Sequence, residues 1–191
     1  MSPAVYLASA SPRRRELLEQ IGVSYRLLDV AVDEDHRAGE QPEMYVLRLA
    51  LHKARTGRAM LPAGDPSAVL GADTSVVSDG EILGKPRDRA EGVAMLRRLS
   101  GATHHVYTGV ALVDDAREAT RLSVSAVSFR PLRGEECEMY WRSGEPVDKA
   151  GGYAIQGKGA MFISRLEGSY SGVMGLPLFE TAELLREFEI L

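Results

Sequence analysis

The chain has 191 residues, enough for one sizeable domain with a substantial core, and its 45% hydrophobic and 26% charged residues are those of an ordinary globular protein. A net charge of -4 and only 6% aromatic residues exclude a general nucleic-acid coat, which needs a basic face with stacking rings. The single cysteine, Cys137, excludes an internal disulfide, and no segment approaches membrane-spanning length.

In chain order, Val5–Ser9 reads as a short strand entered almost at once, with no basic targeting segment before it, so a cytoplasmic location is expected. Ser11-Pro12 is a helix start and Gly22 its stop, placing a helix to about Ile21. A strand over Tyr25–Val30 follows, then a long amphipathic helix over Met44–Met60 and a turn-rich Leu61–Ser67 too short to link domains. Ala68–Val77 and Glu81–Leu83 read as strands joined by the Asp79-Gly80 hairpin signal, followed by a helix over Arg89–Leu99. His104–Val113 and Ala119–Arg130 are two long strands joined at Asp114–Glu118. A helix over Arg133–Arg142, the segment Tyr153–Gln156, a strand over Ala160–Leu166 and a last helix from Pro177 to about Phe188 complete the chain. Strands alternating with helices, interrupted by hairpins, predict a single α/β domain over 1–191, a mixed twisted sheet with flanking helices.

The run Leu70-Gly71-Ala72-Asp73-Thr74 sets a carboxylate inside an apolar strand, where it is costly unless it binds a cation or is hydrogen-bonded. Gly84-Lys85-Pro86 adds a lysine held between two residues that shape the backbone. Each motif alone also reads as an ordinary turn or loop; together they suggest a metal-binding acid and a phosphate-binding lysine. Arg13, Arg14 and Arg15 crowd the first turn of a helix, where the macrodipole favours acids, so a bound anion would compensate. Arg13 is the favoured phosphate contact of the three, and Arg15 reads as a solvated surface residue. Lys53 lies at the edge of the apolar stripe of its helix, a position equally suited to a side chain that merely reaches solvent. From the acidic run Asp33-Glu34-Asp35, one carboxylate would join Asp73 as an oxygen ligand for Mg²⁺. The stretch from Gly144 to Gly157 reads as a binding loop. Its glycines 151, 152 and 157, with Gly159 just beyond, would let backbone approach a ligand, and Gln156 suits the reading of a base edge. His104 and His105 point to opposite faces of a strand and cannot chelate one metal together. Cys137, within a helix, reads as a bland thiol.

Taken together, Ser9-Ala10-Ser11-Pro12-Arg13-Arg14, Leu70–Thr74, Gly84-Lys85-Pro86, Ser100-Gly101 with His104 and Thr108, Ser143–Gly157 and Gly175-Leu176-Pro177-Leu178 resemble the Maf family of nucleoside triphosphate pyrophosphatases. The resemblance runs from about Val5 to Phe188. Asp148–Gly157 is similar to the branch acting on dTTP and UTP rather than its sister branch, which prefers 7-methylguanosine triphosphate and lacks the glutamine. Gly172 departs from the asparagine that many members carry.

The resemblance implies Asp73 as catalytic acid/base, with Lys53 and Lys85 beside it. It implies Ser9, Arg13, Arg14, Thr74 and Gln156 as substrate-binding residues, and Asp73 with Glu34 on Mg²⁺ or Mn²⁺. The residues themselves do not choose among Asp33, Glu34 and Asp35 as the second acid. It also implies an elongated two-lobed domain with a central cleft, often a homodimer, acting on a nucleoside triphosphate without nucleic acid or membrane. The other readings are a house-cleaning pyrophosphatase for non-standard nucleotides and a non-catalytic, nucleotide-sensing regulator of cell division.

Overall fold

The computed structural model describes residues 5–191; the expectation of no targeting segment ahead of Val5 falls on residues 1–4, outside the described residues. The first βαβ unit is built as its sequence directs. Strand β1 (Val5–Leu7) leads into helix α1 (Pro12–Gln20), with Pro12 at its first position and Gly22 beyond its end at φ 72°. Ser11 occupies the N-cap without capping through its side chain; its own N–H donates instead to Ser9 Oγ at 3.2 Å. Strand β2 (Tyr25–Leu27) then pairs parallel with β1. It ends at Leu27 rather than Val30, because it is the edge of the sheet and its only neighbour is three residues long.

Helix α2 (Pro42–Ala59) starts two residues before the expected Met44, with Pro42 pre-set for the first turn. It buries Val46, Leu49, Ala50, Ala54 and Gly57 along one face. Strand β3 (Ala68–Ser78) pairs parallel with β1, and strand β5 (Thr103–Val113) is its neighbour in the sheet. The α2 backbone lies directly on both strands: a Cβ on Gly71 would come 2.2 Å from the Ala50 carbonyl oxygen, and one on Gly109 2.5 Å from that of Val46. Gly71 therefore fixes how closely α2, and with it Lys53, approaches β3.

Strand β4 (Glu81–Leu83) returns antiparallel to β3 across Asp79 and Gly80, both at positive φ as a two-residue hairpin requires. Helix α3 (Arg89–Leu99) is capped by the Asp88 carboxylate, which accepts from the Glu91 N–H at 2.9 Å. Strand β6 (Glu118–Phe129) follows β5, and the Asp114 side chain closes that turn on the N–H groups of Ala116 and Arg117. Helix α4 (Gly134–Arg142), strand β7 (Ile163–Glu167), antiparallel to β6, a short helix α5 (Tyr170–Met174) and helix α6 (Leu178–Glu187) complete the chain. The expected strand from Ala160 begins only at Ile163. Residues Lys158–Phe162 wind into a 3-10 helix that carries Phe162 into the core, and Tyr153–Gln156 forms no strand.

The result is an α/β fold with a mixed seven-stranded sheet in the order β2-β1-β3-β5-β6-β7, β4 attached to β3, and six α-helices among the described residues. The chain divides into two compact units, with divisions inside β3, β5 and β6 and between α5 and α6. The first holds the chain up to Asp73, Thr108–Ser123 and Gly175–Leu191; the second holds Thr74–Tyr107 and Val124–Met174. The core of the second is aromatic: Phe129 packs edge-on to His104 and Tyr153, and Tyr140 edge-on to Phe162.

Candidate active site

In the first unit, five of the expected residues fall into two contacting groups, Asp73 with Lys53 and Glu34, and Arg14 with Ser9. Asp73 lies within β3 and is 8% exposed. The close packing of α2 presents Lys53 to it, Nζ to Oδ1 at 2.7 Å. The same ammonium meets Glu34 Oε1 at 2.6 Å, so one lysine joins two carboxylates. Of the three acids in the run after β2, Glu34 is the one that reaches Lys53. Asp33 instead accepts the Asp35 N–H at 2.9 Å and shapes the loop. The Tyr45 hydroxyl on α2 donates to the Glu34 carbonyl at 2.8 Å and pins that loop from below.

Arg14 is the arginine of its run that turns inward. Its Nε donates to the Gly175 carbonyl at 2.7 Å and its Nη1 to Ser9 Oγ at 3.1 Å. Arg13, the favoured phosphate contact from sequence, is half-buried beside it. Gly175 and Tyr45 are the two partners that sequence patterning did not single out. Gly175 stands inside a recognisable motif, but a carbonyl used as an acceptor leaves no side-chain signature.

Electrostatically, Asp73 is under tension. Burial pushes its carboxyl above the ordinary range, against the opposing pull of Lys53 and Arg14. Burial likewise lowers the Arg14 guanidinium, although Asp73 and Glu34 favour its charge. Tyr45, desolvated and facing Asp73 and Glu34, is pushed up to about 12 and stays a neutral donor. A carboxylate with a raised pKa is a stronger base than a free one, as proton abstraction from water requires.

The second unit holds Thr74, the next residue along β3, and the two exposed residues Lys85 and Gln156. Lys85 is set by its neighbour: the Gly84 carbonyl accepts the Gly151 N–H at 3.0 Å. Three glycines of this region lie close against the protein's own atoms. A Cβ on Gly151 would sit 2.9 Å from Val76, one on Gly157 2.4 Å from Glu145 Oε2, and one on Gly159 2.7 Å from the Ala154 carbonyl. They let the loop close on the protein's own atoms. His104 is buried and His105 exposed, as strand alternation predicts. Cys137 is buried, and desolvation raises its thiol pKa, which leaves it inert.

The profile of the Maf-like protein family matches residues 4–188. The chain belongs to the Maf-like protein family. A dTTP/UTP pyrophosphatase of Alkalilimnicola ehrlichii is 63% identical over 191 residues, covering 98% of this chain and 94% of that one. One from Saccharophagus degradans is 54% identical, covering 99% and 90%. Among solved structures, the Staphylococcus aureus Ham1 protein shares the fold at a TM-score of 0.52, with 12% identity and 97% of both chains covered. The Maf resemblance read from the motifs is therefore correct, and this Maf-like chain carries each quoted motif on a described element or loop.

Proposed function

We propose that this Maf-like protein hydrolyses dTTP and UTP between the α- and β-phosphates, releasing the nucleoside monophosphate and pyrophosphate. The observation that carries the reading is Asp73, a buried carboxylate held by Lys53, in a chain 63% identical to a dTTP/UTP pyrophosphatase. Asp73 takes the proton of the water that attacks the α-phosphorus, and its raised pKa suits it to that step. Lys53, Arg13, Arg14 and Lys85 neutralise the triphosphate and the departing pyrophosphate, with Ser9 holding Arg14 in place. Gln156 and Thr74 select the base, the amide of Gln156 matching the donor and acceptor edge of uracil or thymine.

A divalent cation, Mg²⁺ or Mn²⁺, fits this site as a companion of the substrate rather than a resident. The Asp73 and Glu34 oxygens gather on one Lys53 ammonium, the one or two carboxylates such an ion takes besides phosphate oxygens. Among the described residues no group of three or more His, Cys, Asp or Glu side chains is placed to hold a metal alone. Bound there, the cation supplies charge neutralisation at the phosphates.

The test is incubation of the purified protein with Mg²⁺ or Mn²⁺ and a panel of nucleoside triphosphates, the products being separated chromatographically. Monophosphate plus pyrophosphate from dTTP and UTP is the expected result. Preference for a modified or inosine nucleotide would shift the reading to a house-cleaning pyrophosphatase, and nucleotide binding without turnover would replace it with a regulator. No helix among the described residues is long and apolar enough to cross a membrane.

A further inference from the structure

Gln156 is exposed, yet the backbone that carries it is tied down on both sides. Ala154–Gly157 is a tight turn closed by the Gly157 N–H on the Ala154 carbonyl at 3.2 Å, with Gln156 at its third position. On the entering side, the Tyr140 hydroxyl accepts the Ala154 N–H at 3.0 Å. On the leaving side, the Glu145 carboxylate accepts the Lys158 N–H on Oε2 at 2.9 Å and the Gly159 N–H on Oε1 at 3.0 Å. The two clamps are themselves joined, Tyr140 donating its hydroxyl to Glu145 Oε1 at 2.5 Å. Gly157 and Gly159 lack side chains where any Cβ would strike this pair: 2.4 Å from Glu145 Oε2 and 2.8 Å from the Tyr140 hydroxyl. The floor of the turn is equally fixed, since buried Tyr153 meets His104 Nε2 at 2.7 Å.

We propose that Glu145, acting with Tyr140, is a positioning residue that fixes the turn carrying Gln156 and thereby sets the selectivity of the enzyme for its pyrimidine base. The inference rests on the function proposed above. The physical reason is one of pre-organisation. A lone amide on a mobile exposed loop loses side-chain and backbone entropy on binding and discriminates weakly, whereas the same amide on a pinned turn meets the base already oriented. A carboxylate is the suitable clamp because it accepts three donors at once, a count that neutral side chains rarely reach.

The test compares kcat/KM for dTTP and dCTP, two pyrimidines with different hydrogen-bonding edges, in wild type, Gln156→Ala, Glu145→Ala and the double variant. Glu145→Ala is expected to lower the dTTP-over-dCTP ratio about tenfold, as Gln156→Ala does, with no further loss in the double variant. Glu145→Gln keeps one acceptor oxygen for Tyr140 and Gly159 and loses the Lys158 bond, so it should restore part of the ratio. Tyr140→Phe, which keeps the ring in the core, should lower the ratio by an intermediate factor if Glu145→Ala fails to fold. Amide hydrogen exchange should quicken at Lys158 and Gly159 in Glu145→Ala and stay unchanged along α2. A folded Glu145→Ala protein with the wild-type ratio, or losses that multiply in the double variant, would overturn the proposal. Wild-type protein that turns over neither nucleotide defeats the function reading itself. That result appears before any variant is made and so is distinct from failure of the clamp.

Discussion

Each unit holds a carboxylate on which its part of the account turns, Asp73 in the first and Glu145 in the second, and the two are held in opposite ways. In the first, Asp73 is raised by burial and answered by charges, chiefly a lysine that it shares with Glu34. In the second, burial also works to raise Glu145, but the Tyr140 hydroxyl, the Lys158 and Gly159 N–H groups and the Lys149 charge outweigh it and leave the carboxyl below its ordinary value. Fixed hydrogen-bond donors favour the ionised form of an acid and hold it in place, suited to holding backbone. A single flexible ammonium leaves an acid basic, and the ammonium can turn to an incoming phosphate.

The sharpest way to break this contrast is to neutralise the acid proposed to react. Asp73→Asn should lower kcat by about 10³-fold or more, the scale of a lost general base. Its stability should not fall with its activity. A carboxyl whose folded pKa is raised costs stability once pH passes its unfolded value, so at pH 7 the neutral amide removes that cost. A matched urea titration in which Asp73→Asn is as destabilised as Glu145→Gln would erase the distinction.

Lys53→Met should cost about 10²-fold in kcat/KM and destabilise the fold, since it strands the Asp73 charge in a buried site. Without the lysine the Asp73 pKa rises further, so the acid limb of any residual activity should move to higher pH; a limb that stays put would remove Lys53 from the pair. A pH effect of different origin belongs to the second unit. Burial pushes His104 down to about 4, so the unfolded chain binds the extra proton as pH falls from 6.5 toward 4. Roughly 3 kcal/mol of stability should drain away across that window, and urea unfolding of His104→Gln should show a flatter profile there. The smallest effect is expected at exposed Lys85, where Lys85→Ala should lower kcat/KM about tenfold, as for one solvent-screened phosphate contact. Unchanged kinetics would take Lys85 out of the site.

Much of the candidate site was legible because its residue types are conspicuous where they fall. An acid in an apolar strand and three arginines at a helix start each break a local pattern, Lys53 lies at the edge of an apolar stripe, and the structure brings Asp73, Arg14 and Lys53 into the same unit. Legibility ended where backbone does the work. Nothing in the pattern shows that Gly71 is small so that α2 can touch β3, or that Gly157 and Gly159 are small to admit Glu145 and Tyr140. The same limit explains the strand expected from Ala160. The alternation there is plausible, but Glu145 holds the Lys158 and Gly159 N–H groups, and the chain winds into a 3-10 turn until Ile163. The residues alone could not single out Glu34, which only the resemblance named, because three adjacent acids look alike until Tyr45 fixes the loop that bears them.

The most direct measurement is hydrolysis of dTTP in ¹⁸O-labelled water by wild type and Asp73→Asn in parallel, with mass analysis of both products. Attack on the α-phosphorus aided by Asp73 puts the label in the monophosphate for wild type and leaves it unincorporated in the variant. Label in the pyrophosphate, or incorporation by Asp73→Asn at the wild-type rate, would contradict it.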